Sequence, residues 1–176
     1  TPDYLKHLNQ HNVIHLNMQR FLSIAYQVDE MLLLLNKRIC NELKRSFLVE
    51  LFDPDNLILT LEDIYSELKE RFIFVIDEWD CIFREYKENK EDQEKYLDFL
   101  RNLLKDREYV EMVYMTGILP IKKYGTHSAL NMFDEISMIE PKPLEKYMGF
   151  TETEVKVLCD QNNVDYDVMK QWYDGY

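Results

Sequence analysis

Phe72-Ile73-Phe74-Val75-Ile76-Asp77-Glu78-Trp79-Asp80 is the stretch that decides the fold. Five apolar residues run into two adjacent carboxylates, and a third follows two positions later. An apolar run without alternation predicts a strand buried on both faces, as in the centre of a parallel sheet. Open α/β sheets bind their ligands beyond the carboxyl ends of such strands. Asp77 and Glu78 are therefore candidates to hold a cation or activate a water. The same pair would also serve as a solvated strand end, and the pattern alone does not choose.

Working outward, Val13-Ile14-His15-Leu16-Asn17 predicts a short strand that ends on a polar residue. A long amphipathic helix follows, because Phe21, Ile24, Ala25, Val28, Met31, Leu32, Leu35, Ile39, Leu43 and Phe47 step by threes and fours. Asp53-Pro54-Asp55-Asn56 is a turn cluster. Thr60 with Asp63 three residues on predicts the capped start of the next helix, which runs into the Phe72 strand.

On the other side, Arg84 to Glu94 is a dense charge run, expected to be a solvated loop or helix start. Tyr96, Phe99, Leu100, Leu103 and Leu104 mark a helix, and Val110 to Thr116 a strand closed by Gly117. Pro120 suits the first turn of a further helix. Ile136–Glu140 is a weaker strand candidate, ended by Pro141 and Pro143. The only internal boundary is placed there, giving an α/β core over 1–143 and a small helical piece over 144–176. In the latter, Thr151 to Glu154 reads as a capping box and Val168 to Tyr173 as a second short helix. Strands alternating with helices predict an α/β domain with a largely parallel sheet.

The composition narrows the function classes. The chain has 176 residues, 46% of them hydrophobic, enough for a globular core. A formal net charge of −12 repels phosphate backbones, so a general nucleic-acid surface is not expected. Cys40, Cys81 and Cys159 are far apart and lack metal-ligand spacing, which reads as buried thiols in a reducing, cytoplasmic protein. The longest apolar run near the amino terminus, Met31 to Leu35, is too short to cross a bilayer. Trp79 and Trp172 read as packing anchors, and Lys122 and Lys123 as a solvated helix start.

Four stretches in order extend the reading: Phe74 to Asp80, Met115 to Ile121, Met148 to Val155 and Trp172 to Tyr176. Together they resemble the bacterial AAA-ATPase-like family, predicted P-loop ATPases often followed by a nuclease domain of the PD-(D/E)XK type. The resemblance takes in nearly the whole chain. It implies a P-loop NTPase-like, AAA-type three-layer sandwich, with the start of a helical lid in the last thirty or so residues. It implies ATP and Mg²⁺ as cofactors, with Asp77 matching the metal-associated Asp of a Walker B strand. Glu78 matches the catalytic Glu that polarises the attacking water, and Thr116 occupies a sensor-like position. A downstream nuclease domain and a homo-oligomer are partners compatible with it, and no membrane is implied.

One part of that family's pattern is missing. A phosphate loop needs Gly-x-x-x-x-Gly-Lys-Ser/Thr, yet Gly117, Gly125, Gly149 and Gly175 are followed by Ile, Thr, Phe and Tyr. The expectation is an internal fragment, inactive alone, whose sheet runs Val13 strand, Phe72 strand, Val110 strand with Ile136–Glu140 separated. Two other readings stand beside it: a regulatory or scaffolding module on an ATPase fold, and a metal-dependent hydrolase using Asp77, Glu78 and Asp80 as ligands.

Overall fold

A computed structural model describes residues 3–121, 131–137, 143–147 and 149–173. The chain divides into two compact units, residues 1–133 and 134–176, earlier than the expected boundary at 143. In the first unit, β1 (Asn12–Asn17), β2 (Phe72–Asp77) and β3 (Val110–Met115) form a parallel sheet in the order β1-β2-β3. The expected order is found, with β2 central and the Val13 and Val110 strands apart. The chain is thus α/β with a three-stranded parallel sheet, consistent with a P-loop-like sandwich.

A short α1 (Tyr4–His7) precedes β1, and helices fill the connections: α2 (Met18–Leu22), α3 (Val28–Ser46) and α4 (Leu57–Leu68) between β1 and β2, and α5 (Cys81–Glu85) and α6 (Lys90–Leu104) between β2 and β3. One apolar cluster joins Phe21, Leu35, Leu61, Leu100, Phe74 and Ile76 with their neighbours. Burying each such side chain contributes roughly 1.5–3 kcal/mol.

The sheet is not sealed equally on its two faces. Phe72, Phe74 and Ile76 are buried, whereas the alternate Ile73, Val75 and Asp77 are only half-buried. Register puts Val13 and Met112 beside Ile73, and His15 and Tyr114 beside Val75. Those four are exposed. The expectation of burial on both faces is corrected: apolar character runs through β2, but the described helices cover one face. Two layers of the expected three are therefore described.

The long helix expected from Phe21 to Phe47 is two helices. Asn17 caps α2 by accepting the Arg20 amide at 2.8 Å. Ser23 closes that helix, its amide donating to Gln19 O. Gln27 is extended, and Glu30 in the first turn of α3 accepts the Tyr26 amide at 2.8 Å. The apolar stripe is continuous in sequence, but side-chain caps break the backbone between Ser23 and Gln27.

The start of α4 is also earlier than expected. Asn56, not Thr60, is its cap, accepting the Ile58 and Leu59 amides at 3.1 and 3.3 Å. Asn36 of α3 steadies this turn by accepting the Leu57 amide at 2.9 Å. Thr60 falls on the buried stripe with Leu57, Leu61 and Ile64. The small hydroxyl is tolerated there because it reaches Asp53 O at 3.5 Å.

The second unit holds a 3-10 turn at Glu145–Tyr147, then α7 (Glu152–Asn162) and α8 (Tyr166–Tyr173). The expected capping box is present: Thr151 Oγ1 accepts the Glu154 amide, and Glu154 accepts the Thr151 amide. Trp172 is 79% exposed, so it is not the packing anchor expected, whereas Trp79 is buried. All three cysteines are free and buried. Ile136 and Ser137 are not in a strand. The rest of that candidate, with Lys122, Lys123, the helix body after Pro120 and residues 174–176, lies outside the described residues. No helix among the described residues is long and apolar enough to cross a membrane.

Candidate functional site

Three strand ends meet at one point. Register pairs Asn17 with Asp77 and Ile76 with Met115, so Thr116 arrives level with Asp77. The ladder continues past β3, with the Thr116 amide donating to Ile76 O at 2.9 Å and the Trp79 amide to Thr116 O at 3.1 Å.

Asp77 is the centre of this edge. Its Oδ1 accepts the Thr116 hydroxyl at 2.5 Å and the Glu78 amide at 3.0 Å. Its Oδ2 accepts Asn17 Nδ2 at 3.1 Å. Three donors fix the carboxylate while it stays half-buried, and Oδ2 keeps room for another partner. Asn17 is a site residue that the sequence reading did not single out. It is a polar residue closing a strand, the same signal that marked Asp77 and Thr116.

Glu78 joins this group through its backbone amide, while its side chain has a different partner. Its φ is +55, the left-handed region that non-glycine residues rarely adopt. Its side chain pairs with Arg84 of α5, whose Nη2 donates to Glu78 Oε2. Arg84 was expected in a solvated run, yet its side chain is 28% exposed and set between two acids. The second is Asp80, fully buried, whose Oδ2 lies 3.4 Å from Arg84 Nε. Asp80 Oδ2 also accepts the Ile118 and Leu119 amides at 3.2 and 2.9 Å. The i, i+4 spacing of Asp80 and Arg84 was the available signal.

Gly117 completes the join. A Cβ there would lie 2.6 Å from Trp79 Cδ1 and 2.8 Å from Asp80 Oδ1, so only glycine passes between them. From below, the Tyr96 hydroxyl of α6 donates to Trp79 O at 2.7 Å, inside the core. Burial drives the Tyr96 phenol well above its usual range and pushes the neighbouring Cys81 thiol up to about 12. Neither group ionises near neutral pH, so both act as packing groups.

Among the described residues no three His, Cys, Asp or Glu side chains group to hold an ion. Asp77, Glu78 and Asp80 therefore do not form the three-carboxylate cage of a metal hydrolase: Asp80 is committed to the 118–119 backbone and Glu78 to Arg84. Mg²⁺ takes one or two carboxylates and completes its shell with water and phosphate oxygens. Asp77, oriented and half-open beside the Thr116 hydroxyl, fits that lesser role. A groove of about 380 Å³ along β1 and α3 includes Asn17 but not Asp77, Glu78 or Thr116 in its lining.

A parallel sheet whose central strand ends in a fixed carboxylate, with a hydroxyl beyond the end of its neighbour, is that of an α/β protein. The family described as Predicted AAA-ATPase matches residues 1–126, and the chain belongs to that family. The match includes Phe74 to Asp80 and Met115 to Ile121, whereas the stretches at Met148 and Trp172 lie beyond it. The resemblance thus covers less of the chain than expected. A protein of Azotobacter chroococcum mcd 1, described as an uncharacterized protein in the vnfD 5' region, is 29% identical over 113 residues. That similarity covers 61% of this chain, which spans only 22% of the relative's length. No solved structure matches the chain.

Proposed function

We propose that the first unit supplies the metal-and-water half of an ATP-hydrolysing site. The observation that carries this reading is Asp77, held by Asn17 and Thr116 from both neighbouring strands at the ligand-binding end of the sheet. Mg²⁺, when bound, would neutralise phosphate charge. Asp77 would hold that ion, directly or through water, in an orientation its three donors set beforehand. Glu78 would accept the proton of the attacking water. Thr116 keeps hydroxyl lone pairs free while donating to Asp77, which suits a sensor of the terminal phosphate.

The sequence contains no glycine loop to grip phosphates. We therefore assign phosphate binding to residues outside this sequence, and expect the 176-residue chain alone to be idle. A downstream nuclease domain, a homo-oligomer and a cytoplasmic setting belong to the same proposal and rest on the family resemblance.

One observation favours a second reading. Arg84 occupies the Glu78 carboxylate, as a regulatory or scaffolding module that never activates water would allow. Mg²⁺-dependent ATP turnover by the full-length protein, with Asp77→Asn as control, separates the two. Turnover that collapses in Asp77→Asn supports the ATPase. Absence of turnover with intact partner binding supports the scaffold.

A further inference from the structure

We propose that Arg84 is a two-position latch on Glu78, a regulatory device that rests on reading Glu78 as the water-activating group. In the observed position, Arg84 Nη2 holds Glu78 Oε2. A carboxylate bound to a guanidinium has its lone pairs and charge engaged, and is a poorer acceptor for a water proton. The second position is marked by two unsatisfied atoms. Arg84 Nε and Asp80 Oδ1 are buried, and neither has a hydrogen-bond partner. They belong to the pair that already approaches to 3.4 Å through Asp80 Oδ2.

A modest turn of the guanidinium would place its fork on both Asp80 oxygens, satisfying both orphans and releasing Glu78. Arg is suited to this because its planar fork can bind a carboxylate through two parallel bonds. The two acids are not equivalent. Asp80 is fully buried, and its carboxylate also accepts the Ile118 and Leu119 amides. Glu78 is half-buried, with a left-handed backbone. Asp80 therefore stays in place, and Glu78 is the group set free. Because Asp80 also ties down the chain after Thr116, the resting place of the latch is fixed to the segment that carries the sensor-like hydroxyl.

The test uses the full-length protein with Arg84→Gln, and Arg84→Lys as a second variant that keeps a cation for Asp80 should the first fail to fold. A lysine has a single ammonium and cannot bridge both acids as a fork. The latch requires that either variant raise kcat for ATP severalfold with little change in KM. It also requires that stability lost in the Arg84 variant shrink when Glu78 is already Gln, in a denaturant double-mutant cycle without nucleotide. Unchanged or lower kcat in a folded Arg84 variant overturns the latch, as does a cycle that is additive. The underlying ATPase reading fails by a different sign, namely turnover indifferent to Glu78→Gln.

Discussion

The Thr116 hydroxyl donates to Asp77 Oδ1 at 2.5 Å, joining the ends of two adjacent parallel strands through their side chains. The bond makes Thr116 a structural partner of the acid as well as a candidate sensor. Thr116→Val keeps the shape and removes the donor, and hydrogen bonds to charged groups contribute about 1.5–3 kcal/mol. The expected loss is about 1.5 kcal/mol by urea unfolding, and Thr116→Ser should recover most of it. A Thr116→Val variant as stable as wild type, with the loss appearing in Thr116→Ser instead, would show that the methyl, not the hydroxyl, carries the effect.

Asn17 has two tasks, capping α2 through Oδ1 and donating to Asp77 through Nδ2. Asn17→Ala should cost about 1–2 kcal/mol, the usual range for a lost cap. Asn17→Asp keeps the cap but sets a second carboxylate against Asp77. It should be the less stable of the two, because like charges brought together repel. Denaturant curves read this directly. An Asp variant as stable as wild type at neutral pH would mean that the Asn17–Asp77 bond is absent in solution.

Gly117 sits against Trp79 and Asp80 with no room for a methyl group. Gly117→Ala should lower stability by about 1–3 kcal/mol, the usual cost of overpacking. Adding Trp79→Phe, which withdraws the indole edge, should return part of that loss. If Gly117→Ala is neutral, the β3 end does not approach β2 as closely as described.

Much of this organisation was legible in the sequence. The placement of Asp77, Glu78 and Thr116 at and just beyond the carboxyl ends of β2 and β3 was legible because their apolar strands end in polar residues. The strand order followed from the same family pattern. What stayed hidden depended on side chains meeting across the fold. Asn56 outcompeted Thr60 as a cap because Asn36, distant in sequence, helps to hold the preceding turn. Arg84 looked like one charge among many in a polar run. Its pairing with Glu78 depends on the tight turn at residues 78–80, which no periodicity reports.

Alkaline pH should destabilise the fold through its core. Burial raises the Cys81 thiol from 9.0 to about 12, and burial also raises the Tyr96 and Tyr109 phenols. These folded-state values lie above the unfolded ones, so the unfolded chain loses its protons first. For Cys81 the stabilisation is complete below about pH 9 and falls as pH climbs toward 12, by about 1.4 kcal/mol per pH unit for one group. Urea midpoints measured across that window should decline, and more gently in Cys81→Ala. A midpoint independent of pH there would mean the thiol is open to solvent.

The central claim is that Asp77 and Glu78 form the metal-and-water half of an ATPase site. Turnover and nucleotide binding of the full-length protein, compared between wild type and Glu78→Gln, test it most directly. Mg²⁺-dependent binding should survive while turnover falls by roughly 10²–10⁴-fold, the usual contribution of a general base. Turnover left unchanged by Glu78→Gln would contradict it.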